Sequence, residues 1–71
     1  MRKVKMARLH DLHVVIPGIG TFENELPPKN KTIPGLSIQS DDNFNLHIDL
    51  NGESLCGVPA ANVKIVYYAK D

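Results

Sequence analysis

The chain has one cysteine, no tryptophan and only four other aromatic residues, Phe22, Phe44, Tyr67 and Tyr68. A lone Cys56 excludes an intrachain disulfide, and no Cys/His pairs stand at the spacing of a structural zinc site. No apolar run approaches the ~20 residues of a membrane-spanning helix. The basic start leads into Leu9-His10-Asp11 rather than the unbroken apolar core of a signal peptide, so a cytoplasmic protein is expected. Net charge is also missing. Eight basic residues balance eight acidic ones, which argues against both a polyanion and a strongly basic nucleic-acid binder. Length is short as well: 71 residues form one domain, 1–71, and a chain this small buries only about 60% of its unfolded surface. Self-association or docking on a larger partner would supply the missing burial.

What is present is strand pattern. Phe44, Leu46, Ile48 and Leu50 alternate with Asn45, His47, Asp49 and Asn51, the period of a strand with one buried face. Asn51-Gly52 suits a type I′ turn. A two-residue loop there sets Leu50 opposite Glu53, Asp49 opposite Ser54, Ile48 opposite Leu55 and His47 opposite Cys56. Pro59 ends that strand, and Pro59-Ala60-Ala61-Asn62 suits a short 3₁₀ turn. In the last strand Val63, Ile65, Tyr67 and Ala69 form one face and Lys64, Val66, Tyr68 and Lys70 the other. Val66 and Tyr68 are less polar than exposure requires, so they cover a loop or meet a partner.

Earlier in the chain, Lys3 and Lys5 alternate with Val4 and Met6, which fits a basic edge strand or a tail over residues 1–8. A helix through Met6, Leu9, Leu12, His13 and Ile16 also fits the spacing. The stretch from Arg8 to Ile16 favours a strand through Val14-Val15-Ile16, closed by Pro17-Gly18. Thr21–Leu26 reads as a further strand, with Glu23 and Glu25 on one face. Residues 27–35 carry Pro27, Pro28 and Pro34 and no period; with Lys29 and Lys31 they form a candidate binding loop. Leu36, Ile38 and Ser40 mark another short strand, and Asp41-Asp42-Asn43 a turn.

Gly57-Val58-Pro59-Ala60-Ala61-Asn62-Val63 resembles the end of SH3-like barrels, where a Gly-x-x-Pro segment and an Asn lead through a 3₁₀ turn into the closing strand. The resemblance implies an all-β fold, a small SH3-like antiparallel barrel of five to six strands with the 3₁₀ turn before the last. More loosely, the chain resembles short bacteriophage proteins, which implies a host-directed inhibitor or regulator acting on a target such as the transcription machinery.

Candidate chemistry is sparse. His10 and His13 would share a face only on a helix, and on a strand they diverge, which argues against a shared metal. His47 beside Cys56 would suit an activated thiol, but no orienting group or pocket accompanies them. Gly18-Ile19-Gly20 lacks the third glycine and the helix of a nucleotide-binding loop. Asp41 and Asp42 are adjacent in a turn, where their side chains diverge. No catalytic set, cofactor or metal site is expected. The reading is a non-enzymatic binding module that docks on a larger protein through its basic N-terminus (Arg2, Lys3, Lys5 and Arg8), the proline-rich loop (Lys29 and Lys31) or the Val66/Tyr68 face. Two alternatives stand beside it: a minor structural or virion assembly protein, and a nucleic-acid binder using the basic N-terminus, where half of the positive charge lies in the first eight residues.

Overall fold

The computed structural model describes residues 1–11, 13–28 and 31–70, with Cys56 described by its backbone alone. Its strands are β1 (Arg2–Leu9), β2 (Val14–Ile16), β3 (Gly20–Phe22), β4 (Glu25–Leu26), β5 (Leu36–Ser40), β6 (Leu46–Leu50), β7 (Glu53–Val58) and β8 (Val63–Tyr68). A 3₁₀ turn at Ala60–Asn62 precedes β8, as expected. The fold is all-β, an antiparallel sheet curled into a half-barrel, with β2 and β3 paired as a separate hairpin.

β1 is the central strand. One edge pairs with β8 from Val4 to Leu9. The other edge is divided: Arg2 and Lys3 pair with β5, and Ala7 and Arg8 with β4. From β5 the sheet continues through β6 to β7. The first eight residues are therefore neither a tail nor an edge, and the helical reading of this stretch gives way to a strand. Nor does a strand run from Arg8 to Ile16: β1 stops at Leu9, Asp11 takes a left-handed φ of 48°, and β2 starts at Val14. The expected Thr21–Leu26 strand is likewise two short pieces separated by a bend at Glu23 and Asn24, where the Asn24 carbonyl accepts the Leu9 N–H at 2.9 Å.

Three bulges decide which side chains face inward. In β1 an extra residue at Lys5 puts Val4, Ala7 and Leu9 in the core. Unbroken alternation from Val4 would have turned Arg8 inward, where an unpaired charge is costly. In β8 the extra residue is Lys64, so Arg8 faces Ile65 instead of the like-charged Lys64, a pairing that would be unfavourable. Beyond that bulge Val66 and Tyr68 pack against the core, while Ile65 (41%) and Tyr67 (45%) are exposed. The faces expected for this strand are thus exchanged after its first residue.

The third bulge lies in the β6–β7 hairpin. The Asn51-Gly52 turn has the required positive φ values, 52° and 84°, and Leu50↔Glu53 and Asp49↔Ser54 pair as expected. A register shift then places Ile48 opposite Cys56, His47 opposite Gly57 and Leu46 opposite Val58. The reason is packing: unshifted, Gly57 would face Leu46 and Val58 would point outward, whereas here Val58 is only 1% exposed.

Core residues come from almost every strand. Ala7, Leu26, Leu46 and Ile48 are fully inaccessible, and Val14 and Ile16 of the hairpin belong to the same core cluster. Phe44 is absent from the core. It sits before β6 with a left-handed φ of 62° and 55% of its surface exposed, although its position in the alternation predicts burial.

Candidate functional site

A groove lies where β4 and β5 part from one another along β1. Among the described residues, Val4, Lys5 and Met6 have no strand partner on that edge. The gap has a sequence cause. Pro27 and Pro28 follow Leu26 directly and have no amide hydrogen with which to extend β4 along β1. The next strand of the sheet, β5, begins at Leu36, and the Leu26–Pro27 peptide bond is in the cis form.

The result is a groove in two connected parts. The inner part, about 180 Å³, has Val4, Ile33, Leu36 and Ile38 as an apolar floor. The outer part, about 400 Å³, is bordered by Met6, Arg8, Glu25 and Pro28. Lys5, Pro27, Lys31 and Thr32 line both. Lys5 and Lys31 are exposed, and Arg8 is partly held by Glu25 on the same wall, Nε to Oε1 at 3.7 Å. Contacts of that length between surface groups contribute little stability, so the guanidinium remains free to engage a stronger anion.

Lys5 and Arg8 from the start of the chain and Lys31 from the proline-rich loop therefore line one groove. The others named from the sequence do not join them. Lys29 lies outside the described residues. Arg2 and Lys3 line the far end of β1 beside Tyr68, and the Arg2 guanidinium stands 5.2 Å from the centroid of the Tyr68 ring, a cation–π contact. Val66 and Tyr68 pack partly on the core, so the exposed apolar side chains of this strand are Ile65 and Tyr67. The groove was not legible from periodicity, because it is made by two strands diverging rather than by any one segment.

The histidines separate into three unrelated contacts. His10 meets Asp11 at 3.3 Å and His13 meets Glu23 at 3.1 Å, both pairs exposed. Among the described residues no group of three or more His, Cys, Asp or Glu side chains could hold a metal ion. His47, displaced from its expected place opposite Cys56, instead approaches Asp41, Nε2 to Oδ2 at 3.1 Å.

Asp41 organises the β5–β6 loop. Its Oδ1 accepts the backbone N–H groups of Asn43 (2.9 Å) and Asn45 (3.0 Å), and its Oδ2 accepts the Asn45 side-chain amide (3.3 Å). Asn45 Oδ1 in turn accepts the Ala60 N–H at 2.9 Å and ties the loop to the 3₁₀ turn. The hydrogen bond with His47, helped by the Asn45 and Asn43 amides, lowers the Asp41 pKa against the opposing effect of desolvation. A carboxylate with a depressed folded-state pKa contributes stability that is present above its unfolded value and is lost as pH falls through the folded one. The loop is therefore expected to loosen only below about pH 4. The amide shifts of Asn43 and Asn45 should titrate together with a midpoint below the ordinary aspartate value, and Asp41→Asn should remove that titration. A midpoint at the ordinary aspartate value would contradict the network.

Comparison with protein-family models, with curated proteins and with solved structures finds no match for this chain. Among the described residues no helix is long and apolar enough to cross a membrane.

Proposed function

We propose that the protein is a small non-enzymatic binding module that docks on a larger protein through the groove between β1 and the proline-rich loop. The supporting observation is the convergence of Lys5, Arg8 and Lys31 around one hollow with an apolar floor. Directional charge around a desolvated centre is the usual arrangement of a recognition surface. As a regulator of a host protein, the role implied by the resemblance to short phage proteins, it would act by occupying a surface of its target. The test is a pull-down from nuclease-treated bacterial lysate, comparing the protein with Lys5→Glu/Lys31→Glu. One partner identified by mass spectrometry and lost with the variant is expected; a partner retained by the variant would remove the groove from the interface.

A second reading, assembly with copies of itself as a minor structural component, is favoured by a different surface. Among the described residues no strand covers the outer edge of β8, and Ile65 and Tyr67 stand exposed beside it. Sedimentation velocity over a range of concentrations separates the readings. Self-association abolished by Tyr67→Lys would support assembly, and a monomer at every concentration would exclude it.

A further inference from the structure

We infer that the occupant of the groove is a short acidic peptide segment carrying one aliphatic side chain among its carboxylates. The inference rests on the docking function proposed above and specifies the chemistry of the partner. Two features of the groove lead to it. The inner part, at about 180 Å³, has room for one aliphatic side chain against Val4, Ile33, Leu36 and Ile38, with Lys5, Lys31 and Thr32 lining the same space. Lys5 and Lys31 line both parts of the groove, and Arg8 lines the outer part. A single apolar anchor surrounded by negative charge matches this pattern, because the anchor gives affinity and the charges give orientation.

A nucleic-acid strand fits less well. Its phosphates are continuous, and the half-buried Glu25 carboxylate stands in the outer wall where the backbone would pass. No aromatic residue lines either part of the groove to stack on a base, as single-strand binders require. A second copy of this chain fits less well than an acidic partner because the positive rims of two such grooves would repel each other. The backbone adds a further point of recognition. The β1 edge at Val4, Lys5 and Met6 has no strand partner among the described residues, so an extended peptide has main-chain groups to pair with there.

The test uses a fluorescein-labelled peptide Glu-Glu-Leu-Glu-Glu, with Glu-Glu-Ser-Glu-Glu, Lys-Lys-Leu-Lys-Lys and a single-stranded oligothymidylate as comparisons. Fluorescence anisotropy measures affinity, and amide shift mapping places the site. The leucine peptide should bind with shifts centred on Val4, Lys5 and Thr32. Replacing its leucine by serine should weaken binding about tenfold or more, the effect of losing one buried aliphatic side chain. Lys5→Glu/Lys31→Glu should weaken it at least tenfold. Because Lys5 lies at the β1 bulge, Lys31→Glu alone serves if the double variant fails to fold, and a several-fold loss is then expected. Equal binding of the leucine and serine peptides would overturn the anchor, and tighter binding of the oligothymidylate would overturn the peptide in favour of nucleic acid. If the peptide fails to bind while a cellular partner is still lost with the groove variant, the acidic-peptide inference falls and the docking function stands. If both fail, both fall.

Discussion

Deleting residues 1–8 is expected to abolish folding rather than to trim a basic arm. β1 holds β8 along one edge and both β4 and β5 along the other, so its loss strips three strands of hydrogen-bonding partners at once. It also takes Val4 and Ala7 out of the core. A 71-residue domain has a total stability of roughly 4–10 kcal/mol, at about 0.05–0.15 kcal/mol per residue. Losing one or two kcal/mol is already a large share of that, and removal of a central strand exceeds it. The truncated chain should show no cooperative thermal transition and collapsed amide dispersion at 25 °C. A separate variant, Lys3→Gln/Lys5→Gln, removes charge without removing backbone and should stay folded, since both side chains are exposed. A truncated protein that retained dispersed amides and a cooperative transition would show that β1 is dispensable, and the fold described here would be wrong at its centre.

The fold class was legible because alternation and turn chemistry are local. The Asn51-Gly52 turn, the β5 and β6 strands and the 3₁₀ turn before β8 all depend on residues close together in the chain. Register was not, and the three bulges explain why. In β8 alternation alone points Val63, Ile65 and Tyr67 inward and sets Val66 and Tyr68 with Lys64 and Lys70, and the bulge at Lys64 reverses this beyond Val63. The choice is made across the sheet, where Arg8 would otherwise face Lys64. In β7 the decision rests on whether Gly57 or Val58 meets Leu46, a contact visible only after β6 and β7 are docked. Phe44 shows the limit of periodicity from the other side. It continues the alternation of β6, yet Asp41 binds the Asn43 and Asn45 amides and turns the chain at Phe44 before the strand begins.

The candidate groove was legible only in parts. The lysines of β1 and of the proline-rich loop are evident as separate basic stretches, but nothing in their spacing brings Lys5 to Lys31. What does so is the failure of β4 to continue beyond Leu26, which follows from Pro27 and Pro28, combined with the central position of β1. Arg2 belongs to the same basic stretch as Lys5 and ends on a different surface, against Tyr68, because β1 is long enough to span the sheet. Residues that are neighbours in a basic stretch of sequence therefore line different surfaces of the fold.

Leu26→Ala is expected to be among the most damaging single substitutions, although β4 is only two residues long. Leu26 is fully inaccessible and lies directly opposite Ala7, so its side chain fills space that the alanine cannot. Truncating such a buried leucine costs about 2–5 kcal/mol through lost burial and the cavity left behind. Set against roughly 4–10 kcal/mol in total, this should leave the variant marginally stable or unfolded. Urea denaturation measures the loss. Leu26→Met, which nearly conserves volume, should cost less than about 1.5 kcal/mol, and Val15→Ala on the exposed face of the hairpin should be close to neutral. The comparison also bears on the groove, because Glu25 and Pro27 flank Leu26 and form its wall. A loss below about 1 kcal/mol, outside the usual range for a buried leucine, would mean that β4 is not packed against β1. The wall would then lack the rigid support that the proposed binding at Lys5 and Lys31 requires.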